Sequence, residues 1–268
     1  MAISTLNARL SRHILIGDVH GCLTELQALI HRIAPQPDDT FVFLGDLIDK
    51  GPESPGVVRW VRHFAEAHRV ILIEGNHEEK HRRWRRHQRQ GSPIADTMTG
   101  TERMAALTQA LSAADIAFLE TGRLYFHMPQ YQALAVHAGV PPAIETLPAD
   151  PREIAAYPRK QRDIYMQMLR IRFVSAEGKI RPLGDEVEGD RYWATFYDGR
   201  LGTVYFGHQV FMTPAPVVFA HAVGLDLGAV HGGFLAAAVL SDGGVTYILE
   251  PARQVYAYFT WRTGAHRA

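Results

Sequence analysis

The sequence predicts an α/β protein in which two β-sheets pack face to face and helices cover their outer sides. The first half of the chain alternates short apolar runs with amphipathic helical patterns, as βαβ units do. The last third is instead strand after strand, with glycine-rich turns between them. This change of pattern indicates two sheets sharing a core. At 268 residues, we expect a single domain spanning residues 1–268.

Composition excludes several classes of protein. Hydrophobic residues make up 47% and charged residues 21% of the chain, as in ordinary globular proteins. Lys and Arg together number 28, as do Asp and Glu, so net charge gives no argument for a nucleic acid or an anionic membrane. The single cysteine, Cys22, excludes an internal disulfide. Without a secretory apolar segment or a run of 18 apolar residues, we expect a cytoplasmic protein that does not enter the membrane.

Three successive strand-turn-helix units organise the first half. Apolar runs predict strands at 14–16, 40–44 and 69–73, and helical periodicity follows the first two at 24–33 and 54–65. Ser54 is expected to cap the second helix, with a proline at its first position. Each strand is followed by a glycine and by two polar side chains that can bind metal or transfer a proton. These are Asp18 and His20 after the first strand, Asp46 and Asp49 after the second, and Asn76 and His77 after the third. In a parallel sheet these three ends lie along one edge.

The remaining elements are shorter. Residues 80–89 predict a basic helix, which we interpret as a solvated face with His81 and His87 in solvent; the alternative is a positive surface beside a phosphate site. A flexible loop is expected at 91–100, then helices at 101–111 and 112–120, the second capped by Ser112 with Asp115. The later predictions are strands at 125–128, 133–137, 202–206, 223–227, 234–240 and 245–249 and a helix at 161–172.

The strand-end side chains form a plausible set of metal ligands. The set comprises Asp18, His20, Asp46, Asn76, His137 and His208, with Asp49 and His77 beside it. Oxygen and nitrogen donors without thiolate fit a pair of manganese ions, and iron or zinc would accept the same set. Two such ions can share one carboxylate, for which Asp46 is the natural candidate, and supply hydroxide to attack a phosphorus atom in line. His77 is the expected proton donor to the leaving group, and Asp49 would hold its other ring nitrogen.

Five sequence blocks resemble the calcineurin-like metallophosphoesterases. They are Gly17-Asp18-Val19-His20-Gly21, Gly45-Asp46-Leu47-Ile48-Asp49-Lys50-Gly51, Gly75-Asn76-His77-Glu78, Val136-His137-Ala138-Gly139 and Gly207-His208. The resemblance implies a four-layer α/β/β/α sandwich of two mixed sheets with outer helices. It also implies that Asp18, His20 and Asp46 bind one metal, and that the second is bound by Asp46, Asn76, His137 and His208. The match is closest to the bacterial phosphoprotein phosphatase branch, which includes diadenosine tetraphosphate hydrolases.

The phosphate-binding residues depart from the family pattern. The family usually has arginine where this chain has Lys50, and lysine cannot clamp a phosphate through two parallel hydrogen bonds. A second phosphate arginine is expected between the last two metal histidines. Arg162, Arg170 and Arg172 are candidates, of which Arg172 is favoured.

Three functions remain open at this point. The first is a phosphatase acting on phosphoproteins or small phosphomonoesters. The second is a symmetrical-type diadenosine tetraphosphate hydrolase, for which Arg82, Arg83, Arg85 and Arg86 would supply extra cations and Trp84 or Tyr131 a shelf for a base. The third is a catalytically silent phosphate- or nucleotide-binding regulator, which is disfavoured because no ligand is missing. Nucleic-acid binding rests on residues 80–89 alone and is disfavoured by the neutral charge.

Overall fold

The first three predicted strands and their helices are present in the computed structural model, which describes residues 10–258. The strands are β1 (His13–Ile16), β2 (Thr40–Phe43) and β3 (Arg69–Leu72). The helices that follow them are α1 (Leu23–Ile33), α2 (Ser54–Ala67) and α3 (Asn76–Arg89). β1 pairs with β2 and β2 with β3, in both cases in parallel. Their carboxyl ends therefore share one edge of the sheet, as predicted.

The rest of the chain contains shorter elements. The helices are α4 (Ile94–Thr97), α5 (Thr101–Ala110), α6 (Ala113–Leu119) and α7 (Arg159–Met166). The strands are β4 (Tyr125–Met128), β5 (Ala133–Val136), β6 (Phe173–Val174), β7 (Ile180–Arg181), β8 (Arg191–Tyr192), β9 (Thr203–Phe206), β10 (Val217–Val218), β11 (Ala222–Gly224), β12 (Asp226–Leu227), β13 (Phe234–Ser241) and β14 (Gly244–Pro251). The helix predicted at 161–172 thus ends at Met166, and a 3-10 turn, Gln167–Leu169, follows it.

Two mixed sheets carry the fold. The first has the order β12-β13-β1-β2-β3, with β14 also paired to β13, and β13 runs antiparallel to β1. The second has the order β10-β11-β9-β5-β4, in which β5, β9 and β11 are parallel. A small sheet, β7-β6-β8, is not hydrogen-bonded to either. The strand predicted at 223–227 is divided between the two large sheets, because β11 pairs with β9 whereas β12 pairs with β13.

Alternation along the strands produces the layers. Leu15 and Val42 belong to the core between the sheets, together with Ala135 and Tyr205 of the second sheet. The neighbouring residues of β1 and β2 point to the other side and pack with α1 and α2 through Ile14, Ile16, Phe41, Phe43, Leu26, Leu29, Val57 and Val58. A third cluster covers the outer face of the second sheet. The four-layer α/β/β/α prediction is confirmed. No helix within residues 10–258 combines the length and apolarity needed to cross a bilayer.

The two predicted helix caps have different outcomes. Ser112 and Asp115 form the predicted capping box at α6, each accepting the other's backbone N–H. The Ser54 prediction is wrong. α2 begins at Ser54 itself, and the Ser54 hydroxyl accepts a hydrogen bond from the Asp49 backbone N–H at 2.9 Å. Ser54 therefore fixes the turn after β2 instead of capping the helix that follows it.

Candidate metal centre and active site

Polar side chains from five strand ends converge on one point. Potential ligand atoms form two groups, and the atoms within each group lie within 4.8 Å of one another. One group comprises His20, Asp46 and His77, and the other comprises Asp46, His137 and His208. Asp46 is common to both, which is the position expected of a carboxylate shared by two ions. We call the predicted ligands together with His77 the strand-end cluster: Asp18, His20, Asp46, Asn76, His77, His137 and His208.

The remaining two predicted ligands lie beside these groups. Asn76 Oδ1 is 2.9 Å from His137 Nε2, so Asn76 lies next to the second group. Asp18 Oδ2 is 3.9 Å from His20 Nε2, and both Asp18 carboxylate oxygens accept from the His208 backbone N–H at 3.1 Å. The structure thus brings all six predicted ligands together. In the first group, however, His77 takes the place expected for Asp18.

The imidazoles are oriented for ligation. His20 Nδ1 lies 2.8 Å from the Ile48 carbonyl and His137 Nδ1 lies 2.8 Å from the Leu44 carbonyl, so each Nδ1 donates a hydrogen and each Nε2 is left with a lone pair facing the cluster. His208 Nε2 is buried and has no hydrogen-bond partner among residues 10–258. Burial lowers the pKa of all three imidazoles, which favours the neutral form that binds metal.

The carboxylates also fit a bound cation. Burial, followed by the charges of Asp226 and Asp46, raises the pKa of Asp18. Burial opposes ionisation of Asp46 too, but His137, His77 and His20 hold its pKa below the usual range. Two buried carboxylates next to each other require positive charge to remain ionised together. A divalent ion would bind the buried His208 Nε2 and would balance the charges of Asp18 and Asp46. The donor set therefore fits the implied metals.

His77 and Asp49 form the predicted pair. His77 Nδ1 lies 2.6 Å from Asp49 Oδ2, and its Nε2 lies 3.8 Å from Asp46 Oδ2. Burial opposes protonation of His77, but Asp46 and Asp49 outweigh burial and raise its pKa. Asp49 has a pKa below the usual range because hydrogen bonds from two histidines outweigh its burial. His77 is partly exposed, and it lines the cavity beside the cluster.

The second histidine on Asp49 is His81, whose predicted solvent exposure is wrong. Its side chain is 1% exposed and its Nε2 lies 3.0 Å from Asp49 Oδ1. The reason is helical geometry: α3 begins at Asn76, so His77 and His81 lie one turn apart on the same face. His87, on the same helix, is half-buried.

Glu78 is a site residue whose role the sequence did not predict. Its carboxylate accepts hydrogen bonds from the backbone N–H groups of Asp46 at 2.8 Å, Leu47 at 2.9 Å and Ile48 at 3.3 Å. It thereby ties the turn after β2 to the start of α3. The position of Glu78 in the third sequence block could have indicated this role. Backbone N–H groups of a buried turn need acceptors, and a buried carboxylate nearby can supply them.

The backbone of the site is strained. Five of the seven non-glycine residues with positive φ in residues 10–258 belong to it, with φ between 45° and 69°: His20, Asp46, Asp49, Lys50 and His208. Such conformations cost about 1–3 kcal/mol each and persist where surrounding contacts impose them. Close approach matters as well, because a side chain at Gly207 would collide with the Asp18 carboxylate. The strand ends are held in position by the fold at a cost in stability.

A cavity of about 530 Å³ opens beside the cluster. Asp46, Asn76, His77 and His208 line one part of it together with Lys50, whose Nζ lies 2.6 Å from His20 Nε2. The same cavity is also lined by cationic and apolar residues, which we call the arginine wall: Arg170, Arg172, Ile180, Arg181, Pro182 and Leu183. The cavity is in the size range of small-molecule sites.

Two of the three candidate phosphate arginines lie in this wall. Arg172 donates through Nε to Gln209 Oε1 at 3.0 Å and through Nη2 to the His208 carbonyl at 3.1 Å, so its guanidinium is fixed beside the cluster. Arg170 donates to Glu79 Oε2 at 2.6 Å. Arg162 does not line the cavity.

The expectation that the basic helix supplies cations to this site is wrong. Arg82 donates to both carboxylate oxygens of Glu74, and Arg85 donates to Glu120. Neither these arginines nor Arg83 and Arg86 line the cavity. The predicted base shelf is wrong too, because Trp84 is buried in another cluster and Tyr131 donates to the Ser11 carbonyl.

Comparison with known proteins gives consistent matches. Residues 11–212 match the family described as calcineurin-like phosphoesterase. The bis(5'-nucleosyl)-tetraphosphatase PrpE [asymmetrical] of Bacillus velezensis is 31% identical over 237 residues, covering 81% of this chain and 84% of that protein. A symmetrical bis(5'-nucleosyl)-tetraphosphatase of Janthinobacterium is 28% identical over 270 residues, covering 89% and 96%.

Solved structures share the fold. One is a provisionally named diadenosine tetraphosphatase with a TM-score of 0.66 and 24% identity, covering 90% of this chain and 94% of that one. Another is a protein serine/threonine phosphatase from Saccharomyces cerevisiae with a TM-score of 0.58 and 15% identity, covering 91% and 80%.

Proposed function

The chain belongs to the calcineurin-like phosphoesterase family and is a metal-binding phosphoric ester hydrolase, and on that premise we propose that it hydrolyses dinucleoside polyphosphates. Diadenosine tetraphosphate represents the substrate class. The sequence alone placed phosphomonoesters first and this class second. The cavity beside the strand-end cluster, together with the names of the relatives, leads us to reverse that order.

The arginine wall is the observation that carries the proposal. A phosphomonoester presents one phosphate, whereas three arginines and Lys50 line a cavity that continues from the cluster. Guanidinium groups bind phosphate oxygens through paired hydrogen bonds, so they suit a chain of several phosphates. Ile180, Pro182 and Leu183 add an apolar surface to the same cavity, and a nucleobase can pack on it.

We propose that the six predicted ligands, which are the strand-end cluster without His77, would hold two divalent ions, and that Asp46 would be a ligand of both. When bound, such ions lower the pKa of water and neutralise phosphate charge. We propose manganese first, with iron or zinc as alternatives, because oxygen and imidazole donors without thiolate accept all three.

The protein's own residues would donate the proton, orient the phosphate and add positive charge. His77, aimed into the cavity and held by Asp49, would give a proton to the leaving phosphate oxygen. Arg172, held by Gln209 and the His208 carbonyl, would orient the scissile phosphate without a change in its own position. Lys50 would add one positive charge beside His20.

A substrate panel tests the proposal. We expect kcat/KM for diadenosine tetraphosphate to exceed that for p-nitrophenyl phosphate and for a phosphopeptide, with each of Mn²⁺, Fe²⁺ and Zn²⁺ supplied in turn. Product analysis would distinguish asymmetrical cleavage, giving ATP and AMP, from symmetrical cleavage, giving two ADP. A protein that hydrolyses the monoesters faster would restore the broad phosphatase hypothesis.

Arg181→Ala examines the wall itself. Arg181 lines the cavity while its Nε lies 3.2 Å from Asp190 Oδ2, whereas Arg191 lies on β8 of the same small sheet and does not line the cavity. Losing a charge-assisted hydrogen bond costs about 1.5–3 kcal/mol, so we expect roughly a 10–100-fold rise in KM for the dinucleotide. Turnover of p-nitrophenyl phosphate should not change, and Arg191→Ala should resemble the wild type. Equal losses on both substrates would contradict a role in polyphosphate binding.

The silent-regulator alternative receives no support from the site. All predicted ligands and the His77–Asp49 pair are present and converge. Binding of diadenosine tetraphosphate without any hydrolysis in the presence of Mn²⁺ would be the result in its favour.

A further inference from the structure

Asp49 is held by two imidazoles. His77 Nδ1 lies 2.6 Å from Oδ2, and His81 Nε2 lies 3.0 Å from Oδ1 and 3.2 Å from Oδ2. The Asp49 backbone N–H in turn donates a hydrogen bond to Ser54 Oγ. Asp49 is therefore fixed at its backbone and at both carboxylate oxygens.

We propose that His81 is a positioning residue for His77, acting through Asp49. This inference rests on the proposed role of His77 as proton donor. A carboxylate held by a single donor can rotate about its terminal torsion, which has a broad energy profile. The second donor fixes the plane of the carboxylate, so that Oδ2 faces His77 Nδ1 and His77 Nε2 remains aimed into the site.

Helix α3 makes this arrangement stiff. His77 and His81 are one turn apart on a single helix, so their separation is set by helical geometry. Asp49 is on a different element, in the turn after β2, with a left-handed backbone. The two histidines therefore hold the carboxylate between them, and a shift of either partner would misalign the pair.

An ordinary packing role does not account for His81. The side chain is 1% exposed, and its Nδ1 has no hydrogen-bond partner among the described residues. A buried polar atom left unpaired lowers stability, so an apolar side chain would pack at this position at lower cost. The bond from Nε2 to Asp49 is the favourable contact that a histidine gains here.

His81→Met and His81→Gln test the inference on phosphate monoesters of phenols with good and poor leaving groups. A poor leaving group needs protonation, whereas a dinitrophenolate does not. We expect His81→Met to lower kcat for phenyl phosphate about 10–100-fold, as loss of a supporting partner does elsewhere. The dinitrophenyl ester should be nearly unaffected. His81→Gln, whose amide nitrogen can replace Nε2–H, should restore most of the loss. His87→Met, on the same helix, is the control.

A uniform loss on all esters, with no restoration by glutamine, would overturn the positioning role. A second readout does not depend on turnover. In the folded protein with ¹⁵N-labelled histidine, we expect two imidazole N–H protons shifted downfield by Asp49. His81→Met should remove one and shift that of His77; an unchanged His77 signal would contradict the proposal. Failure of the dinucleotide preference leaves both results interpretable, because neither measurement uses a dinucleotide.

Discussion

The strand-end cluster and the arginine wall share one cavity but are built differently. The cluster follows strands that hydrogen-bond within two sheets, and Asp18, Asp46 and His137 are at most 3% exposed. The wall comes from the segment that follows the 3-10 turn, from the two-residue strand β7 and from the two residues after β7, of which Leu183 is 56% exposed. The side chains proposed for chemistry thus follow strands of the two sheets directly, whereas the surface proposed to select a substrate lies on short connecting elements.

The two regions also differ in how they tolerate change. Cluster residues with left-handed backbones depend on the contacts around them, such as those from Glu78 to the turn after β2. In the wall, Pro182 and Leu183 are exposed. We expect substitutions of the metal ligands to abolish reaction on every substrate, and substitutions of Arg181 or Leu183 in the wall to change the preference among substrates.

The largest effect is expected for Asp46→Asn. Because Asp46 is common to both groups of ligand atoms, the amide should lower occupancy of both metal positions and reduce hydrolysis of every phosphoester to background. Metal content by mass spectrometry and turnover of p-nitrophenyl phosphate measure the two consequences. Asp163→Asn, an exposed residue of α7, is the control. Retained activity in the metal-depleted variant would refute metal dependence.

His77→Ala should have the next largest effect. Removal of a general acid typically costs about 10²–10⁴-fold in rate, so we expect a loss in kcat of that order. The metal content should stay close to that of the wild type, which separates His77 from the ligands. His127→Ala, on an exposed position of β4, is the matched control. Loss of one metal per chain would instead assign His77 to the first ligand group, where its Nε2 lies near Asp46.

The smallest effect is expected for Leu183→Ser in the wall. Full burial of a leucine contributes about 1.5–3 kcal/mol, so losing a partial contact with a base should raise KM for diadenosine tetraphosphate roughly 3–10-fold. KM for p-nitrophenyl phosphate should not change. Val187→Ser, exposed and outside the cavity lining, is the control. If KM for both substrates rises together, the comparison between cluster and wall does not hold.

The sequence by itself determined the layers and most of the cluster. A strand followed by glycine and an acid is a local pattern, and parallel pairing then brings Asp18, Asp46 and Asn76 to one edge. Polar residues that follow buried strands could therefore be identified without coordinates. His137 and His208 likewise follow predicted strands, at 133–137 and 202–206, and the structure places those strands in the second sheet.

Only the tertiary structure decided which cations face the cavity and which histidines are buried. From the sequence, the arginines of α3 were a candidate positive surface. In the structure Arg82 is bound by Glu74 and Arg85 by Glu120, and local spacing identified neither acid as a partner. His81 became buried because the turn after β2 packs against one face of α3. The division of 223–227 between two sheets has the same origin. Pairing between distant segments outweighs local preference in each case, because one sequence pattern is compatible with several partners until the chain packs.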